Sequence, residues 1–581
     1  MHFILLATDY DGTLAHNGVV DDNTISALER LRASGRKVVL VTGRHLPDLC
    51  KIFPRLDLFD RVVVENGGVL YRPQTREERL LCDPPNQRFL ARLKEKNVPF
   101  SAGRTVVATW KPNDTAVLDA IRDLGLDLQV IFNKGSVMVL PSGVNKGTGL
   151  DSALDELGIS SHNVVSVGDA ENDLSLLRLS ECGAAVANAL PSLKEHADLV
   201  LNGERGQGVV ELIDGLLADD LSQLDNKLRR HSISLGVRIE PTGAPQNGAQ
   251  ANGEQVLVSP RGASILIAGP SGSGKSTTVA GILEQLAKHE YQFCIIDPEG
   301  DYDGFTDALS FGTPKEPLDT KALFRALEHP DQNALVNLLG VSLDDRAGCF
   351  SSLLPRIQDL RARSARPHWL IIDEAHHMLH SSWSPAESTI PQLLQSTILI
   401  TVHPEHVAKA ALNPVEIVVA IGKSPMQVFR TFAGTVGCPP PTFEAPELGQ
   451  DEALIWFRKT SNPPIHVKAP RSSRERLRHV RQYAEGELSL DQSFYFRGPR
   501  SQLNLRAQNL KMFLQLADGV DDETWMFHLR NGHYSAWFEG TIKDRELKRR
   551  AAEIEQDNDA SPQDSRERIR QAVEARYTAP A

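Results

Sequence analysis

Two carboxylates stand two residues apart at the end of the first apolar run of the chain. Asp9 and Asp11 follow the stretch Phe3 to Thr8, which its apolar pattern predicts to be a buried strand. Both carboxylates then emerge at the carboxyl tip of that strand, where the sites of parallel sheets usually form. One can act as a nucleophile and the other as a general acid and base, provided that their environments differ.

Three further polar or charged groups stand at the ends of other predicted strands. The hydroxyl of Thr42 follows the next predicted strand and can hold a phosphate oxygen. Lys146 can neutralise the charge of phosphoryl transfer, and Asp169 and Asp173 offer the hard oxygen ligands that Mg²⁺ prefers. Each group alone is explained better by a solvated turn, a helix cap or a surface lysine, so the interpretation depends on their joint order.

In this order, and each at a strand end, the four elements resemble the four motifs of the haloacid dehalogenase superfamily of phosphohydrolases. The resemblance is closest to the Cof-type sugar phosphatases and covers about the first 215 residues, including Asn188-Ala189-Leu190-Pro191 and Gly206-Gln207-Gly208-Val209. It implies that Asp9 forms an aspartyl-phosphate. Asp11 would protonate the leaving alcohol and then activate water.

The same resemblance implies the remaining roles in this site. Thr42 and Lys146 would hold the phosphoryl oxygens. Mg²⁺ would be bound by a set of oxygen ligands: Asp9, the Asp11 backbone carbonyl, Asp169 and Asp173, supported by Asn172. The substrate would be a phosphosugar or a similar small phosphorylated metabolite, selected by a cap inserted at about residues 71–141, where Arg104 and Lys134 are the candidate contacts.

A second site follows the predicted strand Ser264 to Ala268. The stretch from Gly269 to Ser276 matches GxxxxGK[ST] and is followed by a predicted helix. Backbone N–H groups at the helix start approach phosphates, Lys275 reaches the β- and γ-phosphates, and the Ser276 hydroxyl ligates Mg²⁺. We therefore predict an ATP site formed by Gly269, Ser271, Gly272, Ser273, Gly274, Lys275, Ser276, Thr277 and, from a later strand, Asp373.

Two acids end the predicted strand Trp369 to Ile372. Asp373 would orient the Mg²⁺ shell, and Glu374 can polarise an attacking water, which favours hydrolysis over kinase chemistry. The nearby His376, His377 and His380 are better explained as surface or packing residues of a helix than as metal ligands.

Two other predicted strands also end in polar stretches, like the strand before Asp373 and Glu374. These stretches are Asp297-Pro298-Glu299-Gly300 and Thr401-Val402-His403-Pro404. Together they resemble the HerA/FtsK class of additional-strand P-loop ATPases over about Val258 to Val467. The class implies that Asp297 and Glu299 lie beside the nucleotide and that a homo-oligomeric ring supplies an arginine such as Arg430. An ordinary turn explains the Asp-Pro-Glu-Gly stretch equally well, and a surface helix explains Arg430 better.

Composition limits the class of protein. The 581 residues carry 63 basic and 75 acidic side chains, a net charge of −12, and 41 % are hydrophobic, as in ordinary globular domains. This charge does not favour a nucleic-acid partner. No apolar run reaches the roughly 18 residues that span a bilayer. The six cysteines form no CxxC pair, which favours a reducing cytosol.

The predicted fold class is α/β with several domains. We expect a Rossmann-like phosphatase domain at 1–217 with an inserted α/β cap, a helix and linker at 218–257, a P-loop ATPase sheet at 258–470, and a small, mainly helical domain of unknown function at 471–581. The tail aromatics, such as Trp525 and Tyr534, are expected to be core.

Three functions remain open at this point. The preferred one is a Mg²⁺-dependent phosphomonoesterase fused to an ATP-binding and ATP-hydrolysing domain. The second is an ATP-driven nucleic-acid-processing protein whose phosphatase processes ends, and the third is a module that senses ATP without turning it over.

Overall fold

A computed structural model describes residues 1–133, 135–224, 230–239, 253–302, 305–313, 318–381, 395–449, 451–472, 488, 493–500, 502–542, 544–557 and 559–577. Lys134, one of the two candidate cap contacts, lies outside these residues. The chain divides into two units, Met1–Pro470 and Arg471–Ala581. Among the described helices, none combines the length and the apolar character needed to cross a membrane.

The elements before residue 220 alternate as expected for an α/β domain. The strands are β1 (Leu5–Thr8), β2 (Lys37–Val41), β3 (Arg61–Val64), β4 (Val69–Arg72), β5 (Glu77–Leu80), β6 (Ser101–Ala102), β7 (Val107–Trp110), β8 (Leu128–Asn133), β9 (Ser136–Pro141), β10 (Val164–Gly168), β11 (Cys182–Ala185) and β12 (Leu199–Val200). The helices are α1 (Asp22–Ala33), α2 (Leu46–Ile52), α3 (Gln87–Glu95), α4 (Asp114–Leu124), α5 (Lys146–Leu157), α6 (Leu174–Leu179), α7 (Pro191–Lys194) and α8 (Gly206–Asp219).

Eight of these strands form the first sheet, in the order β12-β11-β10-β1-β2-β3-β4-β5. The strands from β12 to β3 in this order pair in parallel, and both faces of the sheet are covered. On β1, Leu6 packs in the apolar layer that contains α1 and α8, whereas Leu5 and Ala7 pack in the layer that contains α5. Burial on both faces explains the continuous apolar runs of these strands.

The inserted cap is shorter than expected. The hairpin of β4 and β5 extends the first sheet in antiparallel pairing, although the sequence had placed the start of the insertion near residue 71. All four residues of β5 are exposed, so its sequence carries no buried-strand pattern. The separate cap sheet has the order β6-β7-β9-β8 and packs with α3 and α4.

Glu65, at the end of β3, joins the cap to the first sheet. Its carboxylate is almost fully buried and accepts hydrogen bonds from the backbone N–H groups of Arg104, Thr105 and Val106 at 3.0, 2.8 and 3.1 Å. Burial raises the pKa of Glu65, but the hydrogen bonds from His45 and from this cap loop outweigh it and lower the pKa to about 2. Glu65 therefore anchors the loop as a carboxylate.

Strands and helices also alternate in the second half of the larger unit. Its strands are β13 (Ile233–Arg238), β14 (Gln255–Val258), β15 (Ser264–Ala268), β16 (Phe293–Asp297), β17 (Leu309–Phe311), β18 (Ala334–Asn337), β19 (Trp369–Ile372), β20 (Thr397–Thr401), β21 (Ile417–Ile421), β22 (Glu452–Phe457) and β23 (Ile465–Lys468). Its helices are α9 (Lys275–Lys288), α10 (Thr320–Leu327), α11 (Leu343–Ser364), α12 (Ala375–Met378), α13 (Lys409–Leu412) and α14 (Pro425–Val436).

These strands form an eleven-stranded sheet in the order β14-β13-β23-β22-β21-β15-β20-β19-β16-β18-β17. Strand β20 lies between β15 and β19. An additional strand therefore separates the strand before the predicted phosphate-binding loop (Walker A) from the strand before Asp373 and Glu374 (Walker B). The stretch expected to be a helix and linker contributes β13 and β14, and α8 already ends at Asp219. Strand β14 is the edge of this sheet and pairs with β13 in antiparallel fashion, and a short edge strand carries a weak apolar signal.

The unit Arg471–Ala581 is mainly helical. It contains β24 (Phe494–Phe496), β25 (Leu505–Ala507), α15 (Leu510–Gly519), α16 (Asp522–Arg530), α17 (His533–Gly540), α18 (Arg545–Gln556) and α19 (Pro562–Tyr577). The aromatic side chains of Phe496, Phe513, Trp525 and Tyr534 are buried together and form its core. The expected fold class, two α/β domains followed by a small helical one, is thereby confirmed.

Within the larger unit, the amino ends of the two parallel sheets meet. Arg366 is 2 % exposed and donates to the backbone carbonyl of Gly158 at 2.9 Å. His368, just before β19, lies 3.2 Å through Nε2 from Oδ1 of Asn163, just before β10. Because both contacts lie at the amino ends of strands, the carboxyl ends of the two sheets face away from this contact.

The Glu65 anchor gives a stability prediction. Glu65→Gln replaces a charged acceptor by an amide that meets three N–H donors, and we expect a loss of roughly 2–4 kcal/mol in the free energy of unfolding at pH 7. Because the pKa of Glu65 is depressed, its stabilisation is present above about 4.5 and is lost as the pH falls toward about 2. Urea unfolding at several pH values measures both effects.

Glu78→Gln is the matched control, because Glu78 meets the same cap loop only through an exposed ion pair with the Arg104 guanidinium at 3.0 Å. Such pairs contribute about 0–1 kcal/mol. Equal losses in the two variants would contradict the anchoring role.

Candidate functional site

The carboxyl ends of β1 and β10 and the start of α5 bring the first group of predicted residues together. Lys146 is the first residue of α5, and its Nζ lies 2.5 Å from Oδ1 of Asp9 and 2.5 Å from Oδ1 of Asp173. Carboxylate oxygens of Asp9, Asp169 and Asp173 lie within 4.8 Å of one another, and all three residues are buried. This set of hard oxygens fits a divalent cation such as Mg²⁺.

The electrostatics of this group are unusual for a carboxylate cluster. Burial, followed by the neighbouring carboxylate of Asp173, raises the pKa of Asp9 to about 7, although Lys146 opposes the shift. The carboxylates raise the pKa of Lys146 against the effect of its burial, so the lysine stays charged. The other oxygen of Asp173 accepts from the backbone N–H groups of Asp169 and Ala170, at 2.9 Å each, and so fixes the loop after β10.

Asp11 and Thr42 lie beside this group. Thr42 is buried at the end of β2, and its Oγ1 accepts from the Arg44 backbone N–H at 3.2 Å. The Arg44 side chain donates from Nε and Nη2 to the two oxygens of Asp11 at 2.6 Å each, and the Asp11 side chain is 44 % exposed. Arg44 was missed as a partner of Asp11, although it belongs to the Thr42-Gly43-Arg44 stretch.

Arg104, the cap residue that the sequence predicts to contact substrate, contacts two acidic side chains. Arg104 is tied through its backbone to Glu65 and through its guanidinium to Glu78. The neighbouring Gly103 packs so closely that a Cβ there would lie 2.5 Å from the His45 ring. The cap loop is therefore tightly seated over the ends of β2 and β3.

The second group forms around the turn between β15 and α9. Gly269 must be a glycine, because a Cβ would lie 2.2 Å from the backbone carbonyl oxygen of Ile421. Lys275 donates from Nζ to the carbonyl oxygens of Gly269 and Pro270 at 3.0 Å each. Its side chain therefore folds back over the loop that the sequence predicts to hold phosphates.

Ser276 has a partner that the sequence did not suggest. Its Oγ donates to Oδ2 of Asp301 at 2.6 Å. Asp297, the last residue of β16, accepts from the backbone N–H groups of Asp301 and Tyr302 at 3.0 and 2.8 Å. Asp297 thus shapes the turn, and Asp301, four residues later, reaches the Walker serine. In the sequence, the feature that could have indicated this contact was the acid-rich stretch from Asp297 to Asp301.

The two acids after β19 lie in the same region. Burial, with the charges of Asp301 and Asp297, raises the pKa of Asp373 well above its usual range. Glu374 adopts a left-handed backbone at φ 43°, and burial followed by the Glu299 charge raises its pKa. These shifts mark a crowded acidic site that favours the binding of cations.

The histidines near these acids have packing partners. His376 Nδ1 lies 3.1 Å from Thr401 Oγ1, and burial lowers its pKa to about 4. His403, in the stretch that follows β20, has its Nδ1 3.2 Å from a carboxylate oxygen of Glu405.

Comparison with known proteins identifies the two halves of the larger unit. The haloacid dehalogenase-like hydrolase profile matches residues 6–108 and 117–213. "Phosphoglycolate phosphatase 2" of Saccharolobus solfataricus is 30 % identical over 228 residues, which cover 38 % of this chain and 95 % of that protein. The chain belongs to the haloacid dehalogenase-like hydrolase family. It is an enzyme that also carries an AAA ATPase domain, whose profile matches residues 255–400.

Two further comparisons concern the hydrolase domain. A "Phosphoglycolate phosphatase" of Methanothermobacter thermautotrophicus is 33 % identical over 217 residues, covering 36 % of this chain and 96 % of that protein. A solved structure, "a haloacid dehalogenase-like hydrolase from B. subtilis", aligns with 37 % of this chain and 100 % of that chain at 20 % identity and a TM-score of 0.33.

The raised pKa of Asp9 in the hydrolase domain gives a prediction about metal binding. At pH 7, a carboxyl with a pKa of about 7 is roughly half protonated, and a bound cation displaces the proton. Adding Mg²⁺ to weakly buffered protein should release on the order of half a proton per chain at pH 7 and close to none at pH 9. Release is followed with an indicator dye.

The measurement uses an Asp373→Asn background, so that the acid of the ATPase domain does not contribute. Asp9→Asn should remove most of the release, whereas Glu171→Gln, an exposed acid of the same loop as Asp169, should leave it unchanged. Undiminished release from Asp9→Asn would contradict the assignment.

Proposed function

We propose that the hydrolase domain is a Mg²⁺-dependent phosphomonoesterase that works through an aspartyl-phosphate on Asp9. The observation that carries this proposal is the contact of the Lys146 ammonium with both Asp9 and Asp173, next to Asp169, at the carboxyl edge of the sheet. A nucleophilic carboxylate beside a fixed cation and a hard-oxygen set is suited to phosphoryl transfer.

In the proposed reaction, an oxygen of Asp9 attacks phosphorus while the leaving alkoxide takes a proton from Asp11. The Asp11 carboxylate then takes a proton from water, whose oxygen attacks the aspartyl-phosphate, and inorganic phosphate leaves with Asp9 restored. Thr42 and Lys146 hold the phosphoryl oxygens. Mg²⁺, when bound by Asp9, Asp169, Asp173 and the Asp11 carbonyl, supplies charge neutralisation.

Arg44 orients the general acid and base in this scheme. Its two hydrogen bonds to Asp11 keep that carboxyl group at the rim, where it can face a leaving oxygen. A bidentate fork fixes geometry better than a single bond does.

The substrate we propose is a small anionic phosphomonoester, either a phosphosugar or a two-carbon phosphate such as phosphoglycolate. Relatives named phosphoglycolate phosphatase support the smaller choice. The close packing of Gly103 against the His45 ring also supports a small substrate, because the cap loop leaves little room above β2. Glu65, which fixes this loop, would then limit substrate size.

Phosphate release from phosphoglycolate, phosphosugars, nucleotides and 5′-phosphorylated oligonucleotides tests this proposal. Asp9→Asn should lower the rate on the best small substrate by more than about 10³-fold, because the nucleophile is lost. Glu171→Gln should stay within about twofold of the parent, as exposed substitutions usually do. Cleavage of oligonucleotide ends alone would favour nucleic-acid processing instead.

For the ATPase domain we propose ATP hydrolysis in the manner of the HerA/FtsK class. The position of β20 between β15 and β19 supports an additional-strand ATPase with a catalytic glutamate. Lys275 and the loop from Gly269 to Thr277 would hold the phosphates. Ser276 and Asp373 would hold Mg²⁺, and Glu374 would activate water. Asp301 joins this set through Ser276.

The proposal also covers the helical domain, the assembly of the chains and their cellular compartment. The domain boundary near residue 471 would begin a helical domain that docks a partner. A ring of identical chains would supply an arginine such as Arg430 to the ATP site. All six cysteines are free thiols, which agrees with a reducing cytosol.

Glu374→Gln separates ATP hydrolysis from ATP binding. The amide cannot take a proton from water, so hydrolysis should fall about 10²- to 10³-fold while nucleotide binding, measured by fluorescent ATP titration, persists. Lys275→Ala should lose binding. Glu405→Gln changes an exposed acid near the same strand ends and should hydrolyse ATP normally. Normal hydrolysis by Glu374→Gln would show that another group activates the water.

A further inference from the structure

A cluster of buried and half-buried rings lies where the amino ends of the two sheets meet. Each member contacts at least one other through its ring: His2, His162, His231, His289, Tyr291 and His368. At its centre is the carboxylate of Glu181, just before β11, which is 3 % exposed. Neither the phosphatase chemistry nor the ATP site uses any of these groups.

Three atoms of this cluster converge. Oε2 of Glu181 lies 2.7 Å from Nδ1 of His162 and 2.9 Å from Nδ1 of His231. The three ligand atoms are all within 4.8 Å of one another. Two imidazole nitrogens and one carboxylate oxygen form a set that suits Zn²⁺ and similar transition metals rather than Mg²⁺.

The second nitrogen of His162 shows how this ring is protonated. Nε2 lies 2.6 Å from the backbone carbonyl oxygen of His289. A carbonyl only accepts hydrogen bonds, so Nε2 must carry a hydrogen. In the neutral ring the lone pair is then on Nδ1 and faces a carboxylate oxygen at 2.7 Å. A positive species, either a second proton or a metal ion, must lie between these two atoms.

Two outer contacts favour the metal ion. Histidines that bind metals usually donate their other N–H to a backbone carbonyl, as His162 does to His289, and the carboxylates beside them are usually hydrogen-bonded in turn. Tyr291 supplies the second contact, because its hydroxyl donates to Glu181 and lies 3.0 Å from both carboxylate oxygens. The ligand atoms thus have the supporting partners of a metal site.

We propose that His162, Glu181 and His231 bind a divalent transition-metal ion of the Zn²⁺ type, which fastens the hydrolase domain to the ATPase domain. His162 and Glu181 lie just before β10 and β11 of the first sheet, whereas His231 lies two residues before β13 of the second. Metal bonds of about 2.0–2.1 Å place tetrahedral ligand atoms roughly 3.3 Å apart. The nitrogens therefore move a few tenths of an ångström away from Oε2 to admit the ion.

Metal analysis of the full chain tests the proposal. Protein carrying Asp9→Asn and Asp169→Asn, which disable the carboxylate cluster, is loaded with Zn²⁺, freed of excess metal by gel filtration and analysed by mass spectrometry. We expect about one Zn²⁺ per chain, lost in Glu181→Gln and in His231→Ala. The matched control is His289→Ala, which removes a neighbouring ring but keeps the backbone carbonyl, and it should retain the metal.

A second readout does not depend on retention during purification. Co²⁺ bound to an imidazole and carboxylate set gives visible absorption, which should appear in the control and be absent from His231→Ala. A chelator should lower the melting temperature of the control and leave that of His231→Ala unchanged, because only a bound ion stabilises the folded state. Absence of Zn²⁺ and of the Co²⁺ band from the parent protein that carries only Asp9→Asn and Asp169→Asn, or loss of both in His289→Ala as in His231→Ala, would overturn the proposal.

Discussion

The contact of the Lys146 ammonium with the carboxylates of Asp9 and Asp173 is the interaction on which the first domain depends. Three charged groups are removed from water at this point, and each is tolerable only because the others are present. Asp173 holds the loop after β10 with its second oxygen, and Lys146 begins α5. The same contact thus joins helix, strand and loop. Burial, followed by the charge of Asp173, raises the pKa of Asp9 to about 7, and the Lys146 ammonium opposes that rise.

The larger unit places its two candidate sites at opposite ends. Both sheets keep their polar residues at the carboxyl edge, as parallel sheets do, and the sheets meet through their amino edges. No side chain of one site therefore reaches the other among the described residues. Any influence of ATP on the phosphatase would have to pass along strands such as β10 and β19, through the buried contacts of Asn163, His368 and Arg366. Domain adjacency alone establishes no such coupling.

The sequence predicted those features that depend on local order. Buried parallel strands are continuous apolar runs, so β15 and β19 have the bounds that the pattern predicted, and β1 lies within the predicted run Phe3 to Thr8. The exposed strand β5 and the edge strand β14 lack that pattern and were expected to be cap and linker. Contacts between residues distant in sequence were also missed. Arg44 meets Asp11 across 33 residues and Asp301 meets Ser276 across 25, and nothing in periodicity or motif spacing encodes such pairs.

Both sites contain polar groups that already have partners within the protein. Lys275 donates to two carbonyls of its own loop, Ser276 donates to Asp301, and Asp11 accepts the fork of Arg44. A phosphate that reaches these groups exchanges hydrogen bonds rather than adding them, so its net gain is smaller than the number of new contacts suggests. The arrangement gives these three side chains partners within the protein, and it makes binding depend on ligands with enough negative charge to displace neutral carbonyls from an ammonium. Phosphate groups have that charge, which explains why motifs built around a lysine and a glycine-rich turn select them.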